Sequence, residues 1–294
     1  MTDVTRRDFI KTTGCAAVGL AFGLPTLAQD AVPVTKSRVV LVRHANVVGD
    51  KMTINAAFVQ QMLDEAVAEL IGEKDAASSW SKIISPDDVV GIKTNAWQNL
   101  PTPPEVEQAL RNRVLGCGVS DDNVAIDDRG VLNNEVFRRA TALINTRPMR
   151  THAWAGVGSL IKNYIMFADH PPDFHDDACA PLATLWDLPA VKGKTRLNVL
   201  VMLTPQYHTV GPHHFDPAYL WSYGGLIVST DPVAADAVGL RIIQAKRKVV
   251  FGEERPLQPT AHHIALADSV YHLGNAADSA IELVRRGWQE GALI

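Results

Sequence analysis

The chain has 294 residues, 47% of them hydrophobic and 20% charged, with a formal net charge of -4. This is the composition of a globular protein long enough to bury a sizeable core, and its mild acidity argues against a nucleic-acid partner. No stretch reaches the roughly 18 consecutive apolar residues of a membrane span, so none is expected in the mature chain.

Residues 1–28 read as a signal peptide. Thr5-Arg6-Arg7-Asp8-Phe9-Ile10-Lys11 matches the twin-arginine pattern, and an apolar stretch from Gly14 to Leu24 follows it. Thr26-Leu27-Ala28 is a small-x-small cleavage site. The expectation is export by the twin-arginine translocase and a periplasmic location. Substrates of that route cross the membrane folded, often with a cofactor already inserted. The expected mature chain keeps Cys117 and Cys179, too few thiolates for an ordinary iron–sulfur cluster. They are read as a disulfide or as two small buried residues.

Residues 29–37 form a polar linker. Arg38 to Val48 is a first strand, and Asn55 caps a helix to Ile71 with Phe58, Met62, Ala66 and Leu70 on one face. Val89 to Lys93 is a second strand, ending in Lys93-Thr94-Asn95. Thr102-Pro103-Pro104-Glu105 has the form of a capping box before a helix to about Leu115. Asn123 to Ile126 is a third strand, tipped by Asp127 and Asp128. The alternation predicts an α/β fold, mainly a parallel sheet with crossover helices.

Thr141 to Ile144 reads as a buried strand that Pro148 should stop from continuing as a central one. Arg150, Thr151 and His152 follow where a loop is expected. Gly156 and Gly158 then allow close backbone approach before a helical run carrying Lys162 and Asn163. A helix from about Ala178 to Leu185 and a strand from Leu197 to Leu203 come next. Tyr207 to Trp221 is loop-like, Gly225 to Ser229 is a strand, and Asp231 caps a helix from Val233 to Lys246. Two tail helices are expected, Thr260 to His272 and Asp278 to Arg286. This divides the chain into an N-terminal α/β lobe, residues 38–146, and a C-terminal α/β lobe with a helical tail, residues 147–294.

The chemistry-bearing residues gather at strand ends. Cations, an amide and an imidazole there suit a small anion in a cleft at the carboxyl ends of the strands. Lys93, Asn95, Asp127, Arg150 and Asn163 are the candidate substrate-binding residues. His152, Lys162 and Asp236 are the candidate catalytic ones, with His152 moving a proton. His208, His214 and Asp216 are candidate ligands for a divalent transition metal. Adjacent His213 and His214 on an extended segment point opposite ways, so at most one joins His208. His170, His175, Asp176 and Asp177 read as a solvated loop or the far wall of a site. No G-x-S-x-G, G-x-G-x-x-G, Walker loop or H-E-x-x-H is present.

Several of these stretches, in order, resemble the family catalogued as domain of unknown function 362. Gly91-Ile92-Lys93-Thr94-Asn95 is similar to its strand ending in I-K-x-N. Leu143-Ile144-Asn145 with Arg150-Thr151-His152 is similar to its L-I-N segment and K-T-H motif, with Arg150 in place of the usual lysine. Ser159-Leu160-Ile161-Lys162-Asn163 is similar to its A-L-K-N segment. Ser229-Thr230-Asp231-Pro232-Val233-Ala234-Ala235-Asp236-Ala237 is close to its S-T-D-P-V-A-V-D-A signature. The resemblance implies an α/β fold and no general activity. Many members carry a ferredoxin-type cysteine cluster that this sequence lacks. The layout is also distantly similar to that of the nickel-dependent lactate racemase group, which is an analogy of fold. Two functions remain open at this point. One is an exported metal- or cofactor-dependent enzyme, an oxidoreductase or isomerase, acting on a small anion. The other is a non-catalytic periplasmic ligand- or metal-binding protein.

Overall fold

A computed structural model describes residues 36–209 and 214–294. The expected signal peptide, most of the linker and His213 lie outside the described residues. Eight strands form one mixed sheet in the order β3-β2-β4-β6-β7-β1-β8, with β5 paired to the far end of β4. They are β1 (Ser37–Arg43), β2 (Val90–Lys93), β3 (Val124–Asp127), β4 (Ala142–His152), β5 (Gly156–Gly158), β6 (Thr195–Gln206), β7 (Gly225–Ser229) and β8 (Ile281–Gly287). Strands β3, β2, β4 and β6 run parallel to one another, and β5 is antiparallel to β4. β7 runs antiparallel between β6 and β1, and β8 lies parallel to β1.

The strands are apolar on both faces because helices cover both. Val40, Val42, Ile144, Val199, Val201, Leu226 and Val228 pack under α1 (Ala56–Ile71), α2 (Ala76–Ile83) and α3 (Pro104–Gly116). Their alternating partners Val39, Leu41, Leu143, Leu200, Met202 and Ile227 join a second core. That core takes in α4 (Glu135–Arg138), α5 (Leu160–Asn163), α6 (Asp176–Cys179), α7 (Pro232–Phe251) and α8 (His262–Ser269). The period of two along each strand thus produces a three-layer sandwich.

Local signals act as expected at two helix starts. Asn55 Oδ1 accepts from the Ala57 and Phe58 amides, and Asp231 Oδ1 from Val233 and Ala234. The box at Thr102 does not form. Pro103 precedes α3 without a side-chain cap, and Thr102 Oγ1 instead accepts from the Asn95 amide.

Three expectations are corrected. β4 does not stop before Pro148 but runs through it to His152 in the middle of the sheet. Pairing with β2 ends at Asn145 and pairing with β5 begins at Arg150. Pro148 therefore sits where β4 has a neighbour on one side only, and its missing N–H breaks no ladder. The last tail helix is instead a short 3-10 turn, Asp278–Ala280, followed by a strand: Ile281–Gly287 pairs along the whole of β1 as an edge strand. Finally, the segments expected as two lobes share this one sheet. Lys36–Ile294 fold as a single unit, and the expected boundary at 146–147 falls inside β4. Among the described residues no helix is long and apolar enough to cross a membrane.

Candidate functional site

Parallel strands expose their carboxyl ends as a crevice, and here β2, β3 and β4 end beside one another. Lys93 is in register with Asp127 on one side and Asn145 on the other. Its side chain is wholly buried. Nζ lies 2.5 Å from Asp128 Oδ1 and donates to the Thr94 carbonyl at 2.8 Å. Burial pushes the Lys93 ammonium down to about 8, and Asp128 opposes that shift. Burial raises the Asp128 carboxyl, but Lys93 and the Ala96 amide hold it below the usual range. Both are therefore ionised at neutral pH, and Lys93 is committed to a protein partner.

Asn163 forms the floor. Its Nδ2 donates to the Lys93 carbonyl, Asn145 Oδ1 and the Thr146 carbonyl at 3.2, 2.9 and 3.1 Å. Asn145 in turn donates to the Leu160 carbonyl and to Asn198 Oδ1. This buried amide network fixes α5 against the ends of β2 and β4.

Asp236 lies beneath, on α7, with no solvent exposure. It accepts from Ser159 Oγ at 2.7 Å and from the Leu160 and Ile161 amides, both at 2.9 Å. It therefore caps the four-residue helix α5 from another element, where α5 has no cap of its own. Burial pushes its carboxyl up to about 6 against those hydrogen bonds. Asp236 does not line the cavity, so the expected catalytic role is replaced by a positioning one.

The cavity itself measures about 140 Å³ and is lined by Asn95, Trp97, Asp128, Arg129, Arg147, Arg150, His152, Lys162, Asn163, Ile165 and Met166. That is well below the ~300 Å³ at which drug-sized pockets begin, so it suits a ligand of few atoms. Arg147 is 3% exposed, Arg150 7% and Lys162 4%. Arg147 Nη1 donates to the Ser159 carbonyl at 3.3 Å, and Arg150 lies 3.9 Å over the Trp97 ring and donates to its neighbouring carbonyl at Thr151. Lys162 Nζ donates to Cys179 Sγ at 3.4 Å. The Nε atoms of both arginines are buried without a partner.

None of these three cations has a carboxylate at ion-pair distance among the described residues. Burial pushes the Arg147 guanidinium down to about 10 and that of Arg150 to about 9, the latter helped by Arg147. Burial also brings Lys162 down to about 8, with Cys179 opposing and the two arginines adding to the fall. The two arginines reach one cavity because the β4–β6 register shifts between Pro148 and Arg150. Gly158 makes room for this: a Cβ there would stand 2.9 Å from Arg147 Nη2 and 3.4 Å from His152 Cδ2.

His152 lines this cavity and two that adjoin it. One, of about 160 Å³, is shared with Trp97, Arg150, Trp154 and His214. The other, of about 460 Å³, is shared with Thr151, His208, Thr209 and Arg247. Burial first, then Arg150, Lys162 and Arg147, hold its imidazole far below the usual range, so it is neutral. Nδ1 accepts from the Trp154 amide at 3.1 Å, which leaves the proton on Nε2. In that state His152 donates a hydrogen bond to a ligand and is a poor base.

The structure brings Asn95, Arg150, His152, Lys162 and Asn163 together, with Lys93 immediately below. Two other expectations are corrected. Asp127 does not line the cavity: it accepts from the Gly130 amide and Asn134 Nδ2, shaping the turn before α4. His208, His214 and Asp216 do not assemble as metal ligands. His208 Nδ1 faces Arg247 Nη1 at 3.1 Å, and this guanidinium also lowers the imidazole pKa after burial. Asp216 caps the turn at Ala218, and His214 lines the smaller adjoining cavity without His208. Among the described residues no three His, Cys, Asp or Glu side chains are placed to hold a metal ion. Cys117 and Cys179 are both free thiols.

Sequence reasoning missed Arg147, Trp97, Asp128 and Cys179. Arg147 did leave a signal, since a charged residue inside a buried parallel strand requires a partner or a purpose.

Searches among curated proteins and among solved structures find no match. A family model does match, over β3 to the first half of α7, a span that holds Asp128, Arg147, Arg150, His152, Lys162 and Asp236. The model is that of the family described as Domain of unknown function (DUF362), and it matches residues 120–241 of this chain.

Proposed function

We propose that this protein binds a small oxyanion, carboxylate or similar, in the cavity between the ends of β2 and β4 and helix α5. The observation that carries this reading is the set of three buried cations, Arg147, Arg150 and Lys162, with no carboxylate partner among the described residues. Burying an unpaired charge costs several kcal/mol, on the order of the whole stability of a domain. A bound anion would supply the missing charge. The two guanidinium Nε–H groups without partners and the Nε2–H of His152 are the donors that such a ligand would use. Asn95 Oδ1, also buried without a partner, could accept from a hydroxyl on the same ligand.

The likeness of the N-terminus to a twin-arginine signal supports placing this activity in the periplasm. Because the residues expected to hold a metal do not assemble, no metal enters the reading. The test is a calorimetric titration of the purified protein with formate, acetate and phosphate. At least one should bind with heat release and raise the melting temperature. No binding by any of them, up to high millimolar concentration, would remove this function.

A further inference from the structure

Lys162 is used only partly by the anion-binding reading, because a third cation is not all that its surroundings favour. Its Nζ has one described partner, the Cys179 thiol at 3.4 Å, and no carboxylate to hold it as an ammonium. It stands in the cavity wall beside Arg147 and Arg150, only 4% exposed. A lysine desolvated next to other cations is the arrangement that favours the free amine, and a free amine in a dry site attacks carbonyl carbon. Lys93, by contrast, is sealed below the cavity and paired to Asp128, so only one of the two lysines is free to react.

We propose that Lys162 forms an imine with the carbonyl of a small 2-oxo acid whose carboxylate rests on Arg147 and Arg150. This rests on the anion-binding reading above and adds the reactive group to it. The Lys162 amine attacks the carbonyl carbon, forming a C–N bond and a carbinolamine. Loss of the hydroxyl with the remaining amine proton gives a C=N bond and one water, with no change in oxidation state. His152 keeps its Nε2 proton and only hydrogen-bonds through it to the carbinolamine oxygen, which stabilises that oxygen as it departs. A 2-oxo acid is the class that fits, because the cavity of about 140 Å³ keeps the carbonyl within a bond or two of the carboxylate. Burial brings Lys162 down to about 8, so reaction should increase through that pH.

The experiment treats the full chain with pyruvate or glyoxylate and sodium borohydride, followed by peptide mapping by mass spectrometry. Lactate, which offers the carboxylate without the carbonyl, is the control, and calorimetry measures binding of each acid. The expected result is a reduced adduct on Lys162 with a 2-oxo acid and none with lactate. The mapping is done on the unsubstituted protein, so the test does not depend on a variant that folds. If both acids bind but no adduct appears on Lys162, the imine is overturned and the anion site stands. Adducts spread over surface lysines and missing from Lys162 also overturn it. If neither acid binds and no adduct forms, both readings fall.

Discussion

Lys93 Nζ and Asp128 Oδ1 lie 2.5 Å apart with almost no solvent contact, and this pair occupies the carboxylate nearest the cavity. Asp128 is thereby tied to Lys93 and acts on Arg147 only from beyond ion-pair distance. The pair divides the crevice into a neutral base and a positive wall. Replacing Asp128 with Asn should leave Lys93 buried without a counter-charge. The expected loss is about 3–5 kcal/mol in denaturant unfolding, the usual cost of breaking a buried pair from one side. A loss below about 1 kcal/mol would show that the ion pair does not organise the base.

Asp236 should behave as a cap and not as an acid. Asn is the same shape but has one acceptor oxygen, so Asp236→Asn would set an NH2 group against one of the donors now bonded to Asp236. The expected cost is about 2–3 kcal/mol, in the range for a buried donor left unsatisfied. Anion affinity should fall as well, because α5 carries Lys162 and Asn163. Unchanged unfolding would contradict the capping role.

Anion affinity should depend on pH in one direction. In the ligand-free protein Lys162 falls to about 8 and Arg150 to about 9, so the cavity loses positive charge as pH rises through those values. Calorimetry from pH 6 to pH 10 should show affinity constant at first, then falling above about pH 8. The stability of the ligand-free protein should move the opposite way. Lys162 has its folded pKa below the ordinary lysine value of 10.5, so between about 8 and 10.5 the unfolded chain binds the extra proton and the fold gains stability. Affinity that rises over that range would contradict the assignment.

Arg6 and Arg7 carry the export proposal. Replacing both with lysine should trap full-length precursor in the cytoplasm, read by fractionation and immunoblotting. Undiminished appearance in the periplasm would rule the twin-arginine route out.

Much of the architecture was legible in local rules. Asn55 and Asp231 cap the helices that follow them, and the apolar runs at β2, β3, β6 and β7 form strands near their expected bounds. The failures have physical causes. Pro148 was read against a fully paired strand, but whether a strand has one neighbour or two at a given residue is decided by the tertiary sheet. Ile281 to Arg286 became a strand because β1 offered a free edge, which no local propensity encodes. In the site, Arg150, His152, Lys162 and Asn163 were legible as polar residues crowding a strand end. The role of Asp236 was not, since its partners are 75 to 77 residues away. The histidine loop misled because side-chain type suggests a metal, while Arg247, some 39 residues along, decides the environment of His208.

The most direct test of the central claim removes one cation and measures stability with and without anion. Arg150→Met keeps an apolar chain over Trp97 and deletes an unpaired buried charge. On the present account the ligand-free variant unfolds at higher denaturant than the parent, by about 1–3 kcal/mol. Acetate or phosphate that stabilises the parent, by about 2.7 kcal/mol at a hundred times its Kd, should stabilise the variant little. A variant that is less stable without anion and still fully stabilised by it would show that the cavity is not an anion site.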